Sequence, residues 1–247
     1  MIVYRERQWN GFTKLEFLFE DHEACLVYPP EENKTPHWAL KTEYFSAFND
    51  TAILLLNKGY HFAYIQNDHR WGGREDLARK KRFGEYLQKE FHLLEKCVPI
   101  GLSCGGLIAI KLAGIYPEMV SVLYIDAPVV DLLSMLSLGR HHEQHEELFR
   151  DEILQTFQTT VSQMLSYRDH PLDWLPSVIA HKIPTVLVYG GKDTVVFPDE
   201  NAEVVKRAFR GTDVPFLCIC KPTCDHHPHG LEDPTPVVDF ILQFDKD

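Results

Sequence analysis

The feature that most limits how this chain can fold is an alternation. Short apolar runs, HFAYIQ (61–66), CVPIGL (97–102), SVLYIDAP (121–128), TVLVYG (185–190) and PFLCIC (215–220), are separated by stretches with helical patterning at 74–94, 105–116, 200–210 and 236–244. Strands that alternate with helices pair mostly in parallel, because each helix carries the chain back across one face of the sheet. Two earlier runs, KLEFLFE and ACLVYP, are separated by a short turn and are expected to make an antiparallel edge, with a helix around 45–57. Residues 129–182 break the alternation with helical, polar and charged sequence. They read as a helical cap inserted over the C-terminal edge of the sheet, where open α/β sheets bind ligands. The economical partition is a single α/β domain over 1–247, a mostly parallel sheet with helices on both faces and that cap.

Composition removes several classes of function. A hydrophobic content of 45% supplies a full core for 247 residues. A net charge of -11 argues against a nucleic-acid partner, which demands a basic face. The one basic run, Arg79 to Arg82, lies in a mixed-charge helical segment and reads as a solvated helix face. The N-terminus MIVYRERQWNGF lacks the apolar core of a secretory signal, and no run is long enough to span a bilayer. The expected location is the cytoplasm, with no membrane partner. The six cysteines are expected to be reduced and mostly to act as small buried hydrophobes.

Chemistry concentrates in GLSCGG, Gly101 to Gly106, between an apolar strand and a helix. A serine at so sharp a turn takes a strained backbone, and glycines two residues before and after it remove the side chains that would clash. The strain aims Ser103 Oγ out of the sheet and leaves the Cys104 N–H facing a developing oxyanion at the helix N-terminus. The glycine spacing and the missing lysine exclude a phosphate loop. Cys104 itself holds the oxyanion position of the motif and reads as a packing residue. A serine needs a base to take its proton and a carboxylate to orient that base, in the chain order Ser, acid, His. Asp193, in the Gly-rich loop after TVLVYG, is the expected acid, with Asp126 at the end of SVLYIDAP as its rival.

The base must come from CICKPTCDHHPHGLEDP (218–234), where three cysteines and three histidines crowd together as metal ligands do. Cys218 and Cys220 point to one face of a strand, Cys224 follows a turn, and all six cannot converge on one tetrahedral ion. A catalytic histidine before the last helix explains the position better, so no metal and no cofactor is expected. His141 and His145, one helical turn apart in RHHEQHEELF, lack the order of a zinc protease and read as a polar cap helix. His69 and Trp71, after the strand HFAYIQ, and Trp174 in the cap are candidates for substrate contact.

These motifs resemble the α/β-hydrolase superfamily over nearly the whole chain. More narrowly, the sequence is similar to a group of bacterial esterase-like hydrolases that join a GLSxGG elbow to a DAPV strand end and an HHPHxLEDPTPxVDFI tail, here 101–106, 126–129 and 226–241. The resemblance implies that His226 is the base, with Asp225 replacing the usual glycine before it, and that His227 and His229 support the loop. It also implies that PHWALKTEYF (36–45), a Trp-containing loop in that group, supplies the second oxyanion N–H from His37 or Trp38. The implied substrate is a small-molecule carboxylic ester, with short acyl groups on sugars as candidates. An amidase or peptidase with the same triad, and a non-catalytic binding protein of this fold, are the alternatives.

Overall fold

The computed structural model describes residues 2–141 and 147–246. One sheet carries the strand order β1-β2-β3-β5-β4-β6-β7-β8-β9. Strands β1 (Arg5–Trp9), β2 (Phe12–Phe19) and β3 (His22–Val27) form an antiparallel edge joined antiparallel to β5 (His61–Ile65). From there β4 (Trp38–Lys41), β6 (Val98–Leu102), β7 (Leu123–Asp126), β8 (Thr185–Gly190) and β9 (Phe216–Lys221) run parallel.

The central strands are apolar on both faces because helices cover both. Residues alternate sides with period two, so Val186 and Val188 pack with α1 (Asp50–Asn57) and α8 (Thr235–Phe244), while Leu187 and Tyr189 enter the opposite core. That second core also takes α2 (Arg74–Phe91), α3 (Cys104–Ile115) and α7 (Ala202–Phe209). Strand β4 departs from the expected loop over 36–45. Its four residues are all buried, and it is hydrogen-bonded between β5 and β6, in register Leu40 to Ala63 and Leu40 to Pro99.

The basic run on α2 is not a solvated face. Arg79 reaches Asp76 at 2.8 Å and Asp68 at 2.7 Å, and Lys80, fully buried, donates to the Ile65 carbonyl at 3.1 Å. Burial depresses the pKa of Lys80 to about 8. Only Lys81 and Arg82 face outward, where they pair with acidic neighbours.

The expected insertion over 129–182 divides in two. Helix α6 (Pro171–Ala180) lies in the main layer against α3: a Cβ on Gly114 would come within 2.5 Å of Trp174 Cβ, and Ser177 Oγ donates to the Gly114 carbonyl at 2.7 Å. Asp169, just before it, is gripped by Arg74 at 2.9 Å, Lys111 at 3.1 Å and Trp174 Nε1 at 2.6 Å. Among the described residues, the rest, from about 133 to 169, includes α4 (Glu147–Thr156) and α5 (Val161–Met164). Its ends are tied together: Leu172 N donates to the Val130 carbonyl at 3.1 Å, and Leu132 N donates to His170 Nδ1 at 3.2 Å. His145 falls outside the described residues; His141 stacks on Phe197 and meets Asp199 at 3.0 Å. Among the described residues no helix is long and apolar enough to cross a membrane.

Candidate active site

Strand β6 is wholly buried and ends at Ser103, whose backbone sits at φ 55°, ψ −119°. For a non-glycine residue such a conformation costs about 1–3 kcal/mol and persists only where the surroundings enforce it. They do so here. Ser103 N donates to the Asp126 carbonyl at 2.9 Å, and the Ser103 carbonyl accepts from Gly106 N at 2.9 Å and Val129 N at 3.1 Å. Space requires Gly101, where a Cβ would lie 2.3 Å from the Gly105 carbonyl oxygen, and Gly106, where it would lie 2.5 Å from Pro128 Cβ; at Gly105, two residues after the serine, it would lie 3.2 Å from Thr42 Oγ1, a tight fit rather than a clash.

The structure brings Ser103, His226 and Asp193 into one chain of contacts. Ser103 Oγ lies 3.1 Å from His226 Nε2, and His226 Nδ1 lies 2.7 Å from Asp193 Oδ2. The other carboxylate oxygen, Asp193 Oδ1, accepts from Val195 N at 2.9 Å and Val196 N at 2.7 Å, so the acid cannot turn away. His226 and Asp193 are both buried, where a charge-assisted hydrogen bond is strong. Asp225, the residue in place of glycine, binds the two loops together. Its carboxylate accepts from the backbone N–H groups of Thr194 at 2.8 Å and of His226 at 2.7 Å, and its pKa is lowered first by the Thr194 amide.

The rival acid Asp126 serves a different histidine. His229 Nδ1 meets Asp126 Oδ1 at 2.8 Å, and Gly230 N donates to Asp126 Oδ2 at 2.7 Å. His227 is exposed and its ring stacks against Phe48 at 5.5 Å. Cys104 is buried, and desolvation raises its thiol to about 11, so at neutral pH it is a thiol and not a thiolate.

The two residues expected to give the second oxyanion N–H are at the wrong end of β4. Trp38 is its first residue, fully buried with Nε1 donating to the Leu94 carbonyl at 2.9 Å, and His37 precedes it and pairs with Asp245 at 3.1 Å. Because β4 runs parallel to β6, the elbow lies at its other end, about 10 Å further along. The turn that reaches the elbow is Thr42 to Tyr44. Thr42 Oγ1 donates to the Gly105 carbonyl at 2.7 Å, and Glu43 N lies 3.5 Å from where a Gly105 Cβ would stand. Reading 36–45 as a loop hid this, although WALK followed by a turn is a possible short strand. Lys41 anchors the same turn from below, donating to the Ala47 carbonyl at 2.8 Å and to Asn49 Oδ1 at 3.3 Å, with burial pulling its pKa down to about 7.

A cavity of about 340 Å³ adjoins the elbow through Glu43 and Tyr44 and is walled by Asn67, Arg70, Glu152 and Gln155. Asn67 donates to Glu43 Oε2 at 2.5 Å, while its own Oδ1 is buried without a partner among the described residues. Arg70 pairs with Glu152 of α4 at 2.6 Å. His69 lines this cavity; Trp71 also borders it, but its ring is buried and Nε1 donates to Glu152 at 3.0 Å. Trp174 lies elsewhere, against Gly114 near the far end of α3, about 15 Å along that helix from Cys104. A larger concavity of about 1180 Å³ along β2 and β3 contains none of the Ser103, His226 and Asp193 set.

The sheet order, the strained serine after β6 and the helices on both faces define an α/β-hydrolase fold. Solved structures agree in fold at low identity. Porphyromonas gingivalis dipeptidyl peptidase 4 matches 98% of this chain with a TM-score of 0.69 and 14% identity. The Pyrococcus horikoshii acylaminoacyl peptidase matches 91% with a TM-score of 0.66 and 15% identity. An S-formylglutathione hydrolase from Agrobacterium tumefaciens matches 97% with a TM-score of 0.62 and 12% identity. The chain spans 35% and 38% of the two peptidases but 95% of the S-formylglutathione hydrolase. No protein-family model matches the sequence, and none of the curated proteins does.

Proposed function

We propose that this protein is a cofactor-independent serine hydrolase of small-molecule carboxylic esters. The observation that carries the reading is the continuous run from Ser103 Oγ through His226 to Asp193, at 3.1 and 2.7 Å. Ser103 Oγ attacks the ester carbonyl as its proton passes to His226 Nε2, and the ionised Asp193 stabilises the imidazolium that results. The oxyanion of the tetrahedral intermediate takes hydrogen bonds from the N–H groups of Cys104 and Glu43. As the intermediate collapses, the C–O bond to the alcohol breaks and His226 returns its proton to the leaving oxygen. Water then repeats the sequence on the acyl-serine and frees the acid.

The polar cavity beside the elbow, with Glu43, Asn67, Arg70 and His69, supports a hydroxyl-rich alcohol portion over an aliphatic one. The unpartnered Asn67 Oδ1 supports a hydrogen-bond donor on the substrate. Short acyl groups on a sugar satisfy both. Intact-mass labelling with a fluorophosphonate tests the reaction type: one adduct on the unmodified chain, lost in Ser103→Ala, is the expected result. A well-folded protein that takes no label would overturn it. Acetylated sugars, long-chain esters and amides then rank the substrates.

A further inference from the structure

The three histidines of the base loop make a second kind of site once the cysteines are set aside. His226, His227 and His229 each offer a ring nitrogen, all within 4.8 Å of one another. Their ring centroids are separated by 4.8, 4.7 and 4.9 Å. Two of the rings are oriented as metal-ligating histidines are, with one nitrogen given to a carboxylate: His226 Nδ1 to Asp193 at 2.7 Å and His229 Nδ1 to Asp126 at 2.8 Å. A ring that donates from Nδ1 carries its lone pair on Nε2, the atom a dication takes. A tetrahedral zinc ion with bonds of about 2.0–2.1 Å needs its nitrogens roughly 3.4 Å apart. The third nitrogen comes from His227, exposed and stacked on Phe48, and the three must draw together on the ion.

We propose that His226, His227 and His229 form an inhibitory site for a zinc-type dication. All three ligands are imidazoles, which suit zinc or copper and not magnesium or calcium. Binding takes the His226 Nε2 lone pair from Ser103 Oγ, so the base and the metal exclude each other; no covalent bond breaks and no electron moves. The site stands on geometry alone, whereas the inhibition rests on the serine-hydrolase reading.

The test is equilibrium dialysis of the full chain, stripped with chelator, against zinc chloride, with fluorophosphonate labelling run in parallel. The expected result is one zinc per chain in the unmodified protein and in Ser103→Ala, weakened at least about tenfold in His227→Ala. Labelling should slow as zinc fills the site, and His227→Ala should need correspondingly more zinc for the same fractional slowing. Zinc that binds equally to His227→Ala, no binding by folded protein, or labelling that accelerates with zinc would each overturn the proposal. If metal-free protein takes no label at all, the hydrolase reading and the inhibition fail together, while dialysis still decides the site.

Discussion

Two aspartate–histidine pairs lie side by side at the C-terminal edge of the sheet and differ in what the second ring nitrogen meets. In Asp193–His226 it faces Ser103 Oγ; in Asp126–His229, among the described residues, no serine stands opposite, and the carboxylate spends its other oxygen on Gly230 N. Distance and burial are nearly the same in both, so neither marks a catalytic dyad. The third partner tells the two pairs apart. Asp126–His229 instead fixes the loop that carries His226, because His229 and Gly230 are both held to the end of β7, beside the strained serine.

That contrast can be broken by measurement. The largest effect belongs to Ser103→Ala or His226→Ala, each expected to lower kcat about 10⁵–10⁶-fold with a folded protein, measured on the best ester from the panel. Asp193→Asn keeps the shape but frees the wrong tautomer, and kcat should fall about 10⁴-fold. Asp126→Asn should cost less than about tenfold in kcat; an equal loss in the two variants would sink the distinction between the pairs. His229→Ala leaves the buried Asp126 with Gly230 N but without its histidine, and should lower stability by about 1–3 kcal/mol in urea titrations while the surviving folded protein still labels. Asp225→Gly removes the tie to Thr194; a loss of about 1 kcal/mol is expected.

A further effect is a slope. Lys41 has its folded pKa depressed from 10.5 to about 7, so between those values the unfolded chain binds more protons than the folded one. Stability should therefore rise as pH climbs from about 7 toward 10.5, with the burial cost fully present below pH 7. Lys41→Met, followed by denaturant midpoint against pH, should remove that rise.

Much of the sheet was legible because strands buried on both faces read as apolar runs: β8 matches TVLVYG residue for residue, and β6 lies within CVPIGL. Two strands were not. β1 is a polar edge, RERQW, and β4 is four residues long with a lysine inside it. Missing β4 moved the second oxyanion donor to the wrong end of a strand, since Trp38 looks like a loop residue until its neighbours β5 and β6 are known. The elbow could be read because steric need writes its glycines into the sequence. The choice among three histidines could not be read from spacing, since it depends on which carboxylate each ring meets across the sheet edge. The run at 79–82 misled for a related reason: buried lysine and arginine look like solvated ones until Asp68, Asp76 and the Ile65 carbonyl come into reach.

The knot at the base of the 133–169 excursion, where Leu172 meets Val130 and Leu132 meets His170, bears on how that excursion can change. The chain leaves and re-enters the framework at one point, so a change of length falls between fixed ends, while Met135, Leu136, Ile153 and Met164 hold the excursion to the core beneath it. Doubling a loop closed in this way costs only about 0.6 kcal/mol. Through Glu152, Gln155 and Thr156, a change in the excursion would reach the cavity beside the elbow and leave the residues at the strand ends in place.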